Sequence, residues 1–368
     1  MGLFNVMEDS SFIEPLKPVS KGKKSINWGS LRLIKADLLI QGEFSLEGEN
    51  LVFEGRLYDV LEEKLLLGRR YGGKPSQFKK MAHRFSSEVL FVLTGEKESF
   101  NSKILFISGR QGIKEIYSMD LDGDNLRAIT NHRSIILSPS LFPDGKQIVF
   151  TSYKDGNPDI FLRDLETGLE KKLFNFNGIN MTPSFSPDGK RIVFTSYKDG
   201  NPEIYMADTN GRILTRLTNH WATDISPIFF PDGKRIVFVS DRQGGPQIYM
   251  MDVSGNNVRR LTFQGNYNAS PSFSPAGDKI VFASQVEGNR FDIFTIDLQG
   301  NNLTRLTSGQ GSNESPSFSK EGHFILFSST REGASKIFIM REDGSQQRRL
   351  TKGEGSDTNP LWRESFVN

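Results

Sequence analysis

A short pattern of polar and apolar positions recurs along most of the chain. Its clearest copy starts with the alternating segment 184–186 (Ser-Phe-Ser), continues with a Pro-Asp-Gly turn, and ends in the apolar run 192–194 (Ile-Val-Phe). Alternation predicts a short strand, the tripeptide predicts a tight turn, and an unbroken apolar run is typical of a strand covered on both faces. Each copy is therefore predicted to begin with a β-hairpin.

The proline that precedes the pattern recurs with an almost constant period. Successive copies are 44, 44, 44, 45 and 44 residues apart. Its six occurrences are Pro139, Pro183, Pro227, Pro271, Pro316 and Pro360. Two further short strands follow each hairpin, as at residues 204–208 and 214–217. Four strands at this period are the sequence signature of a propeller blade.

The first blade is interrupted by the chain ends. Residues 103–130 supply its second to fourth strands, and residues 361–363 near the C-terminus occupy a first-strand position with no hairpin partner after them. We predict that the strand 360–366 completes this blade, which closes an all-β six-bladed β-propeller over residues 103–368. Trp362 takes the position of a phenylalanine in the other blades and is expected to be buried.

Residues 1–98 contain no copy of the repeat and are predicted to form a small α/β domain. A short helix is expected at 27–34, strands at 36–42, 51–60 and 64–71, and then a longer helix that Ser76 caps and Gly95 ends. The apolar residues that share one face of this helix are Phe78, Met81, Ala82, Phe85, Val89 and Val92.

Composition narrows the classes of function. The chain has 46 basic and 44 acidic side chains, without the positive excess expected of a nucleic-acid-binding protein. No stretch approaches the ~20 apolar residues of a transmembrane helix, and residues 1–11 have neither the basic nor the apolar region of a signal peptide. Cysteine is absent, and so is a Gly-x-Ser-x-Gly motif. We therefore expect a protein that is not an enzyme.

The position three residues before each blade proline is the most informative one. In chain order it holds Ile136, Asn180, Asp224, Asn268, Asn313 and Asp357. Because it precedes the innermost strand, we predict that these side chains ring one mouth of the central channel. They could cap the loops locally, as Asn and Asp do in turns. Alternatively they form a polar site for a partner, with calcium in the channel as the one cofactor to consider.

Residues on the neighbouring loops favour the binding interpretation. They are His132, Phe176, His220, Trp221, Tyr267 and Glu314. Aromatic residues on connecting loops are typical of a protein interface. An alternative from another class is a six-bladed propeller hydrolase with a channel-bound calcium ion, which would need a convergent acid–base set. The predicted ring supplies only Asp224 and Asp357 as carboxylates.

The segment 80–97 (KMAHRFSSEVLFVLTGEK), followed by 103–108 (KILFIS), resembles the helix and domain junction of the TolB family. The Ser-Pro-x-Phe-x-Pro-Asp-Gly-Lys blades resemble the propeller of that family, although peptidase and sensor propellers share this motif. The likeness covers nearly the whole chain and implies that the α/β domain lacks the first strand and helix of the family. An accessory propeller of a peptidase would leave residues 1–98 unexplained.

The resemblance implies a monomeric, periplasmic component of the Tol-Pal cell-envelope system that supports outer-membrane integrity and constriction during division. It also implies that the propeller binds the peptidoglycan-associated lipoprotein Pal. We expect Pal to dock over the channel mouth, with Trp221 and Tyr267 as aromatic anchors. The family communicates with TolA through an N-terminal segment that is not recognised in residues 1–98, so TolA is expected as a partner only where that segment is present.

Overall fold

The computed structural model describes residues 26–97, 100–174 and 178–363. The chain divides into two compact units, Met1–Asn101 and Ser102–Asn368. The first unit contains α1 (Trp28–Leu33), β1 (Leu38–Glu47), β2 (Asn50–Asp59), β3 (Lys64–Gly73) and α2 (Phe78–Thr94). Its three strands form an antiparallel sheet with β2 in the middle. Phe85 of α2 packs directly on β2, because a Cβ added at Gly55 would lie 2.7 Å from its ring.

The predicted helices and strands of this unit are present, with ends shifted by up to five residues. Ser76 does not cap α2 as predicted, since it lies in a 3-10 turn (Pro75–Gln77) that precedes the helix. Gly95 ends α2 as predicted, with φ 74°. Two residues of the predicted buried face, Phe78 and Val92, are exposed, and Leu90 is buried instead. These two lie in the first and the last turn of α2, at the ends of the predicted face.

The second unit forms six four-stranded antiparallel sheets within the described residues. Blade 1 contains β4 (Lys103–Arg110), β5 (Ile113–Asp120) and β6 (Arg127–Ala128), and blade 2 contains β7 (Ile136–Leu141), β8 (Gln147–Ser152), β9 (Asp159–Asp164) and β10 (Glu170–Lys172). Blade 3 contains β11 (Asn180–Phe185), β12 (Arg191–Ser196), β13 (Glu203–Asp208) and β14 (Ile213–Arg216), and blade 4 contains β15 (Asp224–Phe229), β16 (Arg235–Ser240), β17 (Gln247–Asp252) and β18 (Arg259–Arg260). Blade 5 contains β19 (Asn268–Phe273), β20 (Lys279–Gln285), β21 (Phe291–Asp297) and β22 (Thr304–Arg305), and blade 6 contains β23 (Asn313–Phe318), β24 (Phe324–Ser329), β25 (Lys336–Arg341) and β26 (Arg348–Arg349), before the final β27 (Ser356–Arg363).

The final strand closes the ring of blades. β27 is the innermost strand of blade 1 and pairs antiparallel with β4, with Trp362 opposite Ile104. Innermost strands of successive blades contact each other, and β27 contacts β7. The predicted closure is confirmed, although residues 364–366 of the predicted strand lie outside the described residues. Trp362 is half-buried rather than buried as predicted. Its indole stacks on Phe324 of blade 6, with ring centroids 6.5 Å apart.

The hydrophobic core is divided among the interfaces between blades. Ile192 and Phe194 pack in the cluster between blades 2 and 3, whereas Val193 packs in the cluster between blades 3 and 4. Successive side chains of a strand point to opposite faces, so a strand between two other blades buries both sets. This explains why the second strand of each blade is apolar without alternation.

Each innermost strand carries a β-bulge at the dipeptide that ends in the blade proline. The residue before the proline has φ between 48° and 54° in all six blades. These residues are Ser138, Thr182, Ser226, Ser270, Ser315 and Asn359. Together with the prolines they line a central cavity of about 380 Å³. The described lining of the cavity therefore consists mainly of hydroxyl, amide and proline side chains, with Ile228, Phe229, Phe273 and Leu361 as apolar members.

Candidate partner-binding face

The candidate residues predicted from the sequence lie toward one end of the propeller. This end, called the loop end below, is formed by the loops between successive blades and by the turns between second and third strands. The Pro-Asp-Gly turns lie at the opposite end, because strand direction alternates within each antiparallel blade. The structure thus brings the candidates to one end, but it separates them into a buried set and an exposed set.

The ring residues belong to the buried set. They are Asn180, Asp224, Asn268, Asn313 and Asp357, and they are 0–3% exposed. The expectation that they surround an open channel mouth is wrong, because their side chains turn into the interfaces between blades. The described lining of the channel cavity does not include them. The interpretation of this position as a local cap at the start of the strand agrees better with the burial.

Two kinds of hydrogen bond recur among the ring side chains. One joins them to the serine near the end of the second strand: Ser196 Oγ donates to Asn180 Oδ1 (2.8 Å). The other joins them to the start of the third strand of the preceding blade: Asn313 Nδ2 donates to Asp292 Oδ1 (2.8 Å). Each bond of the second kind joins two neighbouring blades, so the ring side chains stabilise the contacts between blades.

The two ring carboxylates also have charged partners, Asp224 within its own blade and Asp357 in the preceding blade 6. Asp224 accepts from the guanidinium of Arg242 at 2.8 and 2.9 Å. Asp357 accepts from Ser108 Oγ (2.7 Å) and lies 3.7 Å from Lys336 Nζ. These residues do not fit a calcium site, which needs several free oxygen ligands that converge. Across the described ranges, no group of three His, Cys, Asp or Glu side chains could hold a metal ion. Calcium in the channel stays a prediction.

His132 stabilises the interior of blade 2 and is not an exposed contact. Its side chain is 7% exposed, and its ring packs against two phenylalanine rings of that blade. Nε2 donates to the Glu170 carboxylate at 2.9 Å, and Lys154 Nζ donates to the same group at 2.6 Å. Burial by itself raises the pKa of Glu170, but these two hydrogen bonds outweigh it and lower that pKa to about 2.

Trp221 is the most exposed of the aromatic candidates that the structure describes. It lies in the loop between blades 3 and 4 and is 79% exposed. The backbone on both sides of it is held: His220 N donates to Glu203 Oε1 (2.8 Å), and Asn201 Nδ2 donates to the carbonyls of His220 (2.6 Å) and Ala222 (3.1 Å). The imidazole of His220 lies 5.2 Å from the indole. The loop therefore presents a large apolar surface from a fixed backbone.

Two other candidates also lie at the surface of the loop end. Tyr267 is partly exposed, and its ring packs edge-on against Phe291 at 5.4 Å. Glu314 is exposed and accepts a hydrogen bond from Ser312 Oγ (2.8 Å). Phe176, the remaining aromatic candidate, lies outside the described residues. Trp221, Tyr267 and Glu314 are thus the predicted residues that are accessible at the loop end.

Sequence reasoning missed Phe263, which is 68% exposed in the loop between blades 4 and 5. The sequence does contain a signal for it, since Phe263 directly follows Thr262, the threonine after β18, and so lies in an interblade loop. It also missed a set of cations placed two residues after the second-strand serine, each with its charge near a third-strand aromatic ring. They are Lys154 over Phe161 (4.1 Å), Lys198 over Tyr205 (5.3 Å), Arg242 over Tyr249 (5.1 Å) and Arg331 over Phe338 (4.5 Å).

Comparison with known proteins identifies the family. Residues 91–366, three quarters of the chain, match the family model described as the TolB beta propeller domain. The chain belongs to the TolB family. A crystal structure of TolB from Acinetobacter baumannii has 30% sequence identity to it and a TM-score of 0.85, and the match covers 95% of this chain and 89% of that one. The resemblance inferred from the domain junction and the blades is thus confirmed.

Curated relatives of the TolB family match shorter parts. The Tol-Pal system protein TolB of Syntrophotalea carbinolica is 41% identical over 146 residues, which is 40% of this chain and 34% of the relative. The protein of the same name from Geobacter metallireducens is 49% identical over 111 residues, which is 30% of this chain and 26% of the relative. The chain spans about a third of the length of the curated relatives it matches. In the part of the chain that the structure describes, no helix combines the length and apolar character needed to cross a membrane.

Proposed function

We propose that this chain is a non-enzymatic component of the Tol-Pal system in the periplasm, and that it binds Pal through the loop end. Membership of the TolB family supports this proposal, as do relatives named Tol-Pal system protein TolB. In this role the protein would support outer-membrane integrity and constriction during cell division. TolA is a second partner only where the N-terminal segment used for it is present.

The observation that carries the proposal is the exposure of Trp221 on a loop with a hydrogen-bonded backbone. Tryptophan is enriched among the residues that dominate binding energy, because its large apolar surface gains most from removal from water. A loop that is already held loses less conformational entropy on association. The buried ring residues contribute indirectly, because they fix the blades from which the binding loops extend.

The test is titration calorimetry of the purified chain against the globular domain of Pal. Trp221→Ala should weaken binding by about 2 kcal/mol or more if the indole is an anchor of the interface. Leu169→Ala is the matched control, because Leu169 is a large apolar residue that is 73% exposed at the opposite end. This control should change the binding free energy by less than about 0.5 kcal/mol.

Circular dichroism of both variants separates loss of binding from loss of fold. If Leu169→Ala weakens binding while Trp221→Ala does not, Pal binds the opposite end and the choice of face is wrong. If the parent chain itself does not bind Pal, the assignment of this partner is wrong whichever face is considered.

A further inference from the structure

Blade 5 lacks a side chain that the two neighbouring blades share. In blades 4 and 6 the second residue after the second-strand serine is an arginine, Arg242 or Arg331. The corresponding residue of blade 5 is Val286. The turn that follows contains a short 3-10 segment (Glu287–Asn289), and this blade accounts for the single 45-residue period of the repeat.

Arg331 shows what the guanidinium contacts in blade 6. Its Nε donates to Ser329 Oγ (2.9 Å) and its Nη2 donates to Asn313 Oδ1 (2.9 Å). Its Cζ lies 5.3 Å from the ring of Phe327 and 4.5 Å from that of Phe338. The site thus combines two oxygen acceptors with two aromatic faces. Arg242 makes the corresponding contacts in blade 4 with Ser240, Asp224, Phe238 and Tyr249.

The four corresponding residues of blade 5 are all present, and they line a cavity of about 250 Å³. They are Ser284, Asn268, Phe282 and Phe294. The loop 263–267, which contributes Phe263 and Gly265 to the lining, is exposed, so the cavity lies at the surface of the loop end. Gly265 keeps the space open, because a Cβ there would lie 2.7 Å from Ser284 Oγ.

Asn268 presents a hydrogen-bond acceptor to this cavity. Its Nδ2 donates to Gln247 Oε1 (2.7 Å) and to the Gln264 carbonyl (2.8 Å), and both partners can only accept. The orientation of the amide is therefore fixed, and Oδ1 is left on the other side. This oxygen is buried and accepts no hydrogen bond from any described residue. A buried acceptor without a partner is costly, so a donor that reaches it binds with an advantage.

We infer that the blade 5 cavity binds a guanidinium group from outside the chain, carried either by an arginine side chain or by a small alkylguanidine. A planar guanidinium can donate to Ser284 and Asn268 from one edge while its faces lie against aromatic rings. Blades 4 and 6 place this group against the same set of residues. An ammonium group fits less well, because a point charge cannot donate along the two fixed directions at once.

Two arginines lie near the cavity and do not exclude a further cation. Arg305 pairs with Asp292, and Arg260 donates to the Thr262 carbonyl and to Gln243. Arg305 also lies over Phe294, with Cζ 5.9 Å from the ring centroid. In blade 4 the corresponding Tyr249 pairs with Arg260 and still accepts Arg242, whose Cζ lies 5.1 Å from its ring. The site therefore depends on hydrogen bonds and aromatic contact rather than on a net negative charge.

The first experiment titrates the full chain with agmatine and with butylurea, followed by nuclear magnetic resonance. Agmatine carries a guanidinium and an ammonium group, whereas butylurea offers planar donors without charge. 1,4-Diaminobutane, which carries ammonium groups and no guanidinium, is the control for the second charge and should give no saturable shift. We expect saturable shifts of the Asn268 side-chain amide and of Gly265, with agmatine at least about tenfold tighter, the ratio that corresponds to a cation–aromatic contribution of ~1.4 kcal/mol. Equal binding of agmatine and butylurea, or no saturable shift with agmatine, would overturn the proposal.

The second experiment supplies the guanidinium from the chain itself. Val286→Arg places an arginine at the position of Arg242 and Arg331, and we expect it to abolish agmatine binding and raise the melting temperature. Val286→Leu is the matched control and should leave agmatine binding unchanged. A folded Val286→Arg variant that binds agmatine as the parent does would contradict the proposal. If this variant does not fold, the comparison of agmatine with butylurea on the parent chain decides.

A third titration distinguishes the two sources of the group. A Gly-Arg-Gly peptide amide that binds more tightly than agmatine indicates an arginine side chain of a protein, and the reverse order indicates a small alkylguanidine. Whichever compound binds more tightly, its binding should be lost in the Val286→Arg variant. These outcomes do not depend on Pal, so the proposal can fail or hold independently of the proposed function.

Discussion

Glu170 and His132 show how single residues determine whether a loop position is buried or accessible. His132 and His220 occupy corresponding loops, but the imidazole of His132 donates to the Glu170 carboxylate in β10, whereas the bond of His220 to a carboxylate, that of Glu203, comes from its backbone N–H. The strand register explains the difference. Phe161 pairs with Lys172 in blade 2, and Tyr249 pairs with Arg260 at the corresponding place in blade 4. Two residues before each of these arginine or lysine positions, blade 2 has Glu170 and blade 4 has Val258. Without a carboxylate at that position, His220 stays in the surface loop.

Glu170 also makes a prediction about acid stability. Its pKa in the folded protein, about 2, lies below the ordinary value of 4.5, so its contribution to stability is present above pH 4.5 and is lost as the pH falls toward 2. A shift of this size corresponds to roughly 3 kcal/mol as an upper value. We expect Glu170→Gln to lower the free energy of unfolding by about 2 kcal/mol at pH 7. Urea denaturation at several pH values should show this difference shrinking between pH 4.5 and 2.

The matched control for this prediction is Glu166→Gln, an exposed glutamate in the turn before β10. This variant should change the free energy of unfolding by less than about 0.5 kcal/mol at pH 7 and at the lower pH values. A difference between the parent and Glu170→Gln that stays constant down to pH 2 would show that loss of the charge is not the cause.

At this scale the sequence predicts some of the site and not the rest. Trp221 and Tyr267 were recognisable because an aromatic residue in a polar loop has no strand face in which to be buried. The ring residues were misplaced, because Asn and Asp suit an exposed mouth and a buried strand start equally well. What decides between these is a partner from the preceding blade, such as Asp292 for Asn313, and sequence spacing alone does not reveal it.

At the scale of elements, a threonine after the outermost strand links the interblade loop to the third strand of its own blade in five of the six blades, whereas blade 2 has Phe174 at this position. Thr218 Oγ1 accepts from Ile204 N (2.9 Å) and donates to the buried carboxylate of Glu203. The same bond to the third strand recurs at Thr130, Thr262, Thr307 and Thr351. The loops therefore start from a fixed point, which is why loops with different sequences leave the blades in similar positions.

We predict that Thr218→Val lowers the free energy of unfolding by about 1 to 3 kcal/mol, because the isosteric valine leaves a buried N–H and part of a buried carboxylate without partners. Urea denaturation followed by tryptophan fluorescence measures the change. Thr215→Val on the preceding strand is the control, since Thr215 is exposed, and it should be close to neutral. Equal destabilisation by both variants would mean that loss of the hydroxyl at Thr218 is not the reason.

The elements themselves were largely predictable, because strand, turn and helix signals are local. The blade hairpins follow from a Pro-Asp-Gly turn between two apolar segments, and the end of α2 follows from Gly95. The burial of Trp362 was not predictable in the same way. Its position matches a phenylalanine of the other blades, but the larger indole is accommodated by stacking on Phe324 at the edge of the interface.

At the scale of the whole molecule, the propeller unit is closed by a single strand distant in sequence from its partners. β27 is the last strand of the propeller unit and pairs with β4, the first strand of that unit, whereas each of the other blades is formed by consecutive residues. The constant period made the number of blades and this closure predictable. The lining of the channel was not, because it depends on the bulge at each proline dipeptide, which places hydroxyl groups rather than carboxylates on the axis.

Removal of residues 356–368 should therefore destabilise all six blades and not only blade 1. Without β27, β4 loses its backbone partners, and the faces of β7 and β23 that contact β27 become exposed. The loss of several kcal/mol should lower the melting temperature by about ten degrees or more.

A synthetic peptide with the sequence of β27 should restore much of this lost stability when it is added in excess, because binding to the folded state shifts the unfolding equilibrium. A scrambled peptide of the same composition is the control. A truncated chain that melts like the parent would show that closure contributes little, and equal rescue by both peptides would show that pairing with β4 is not its basis.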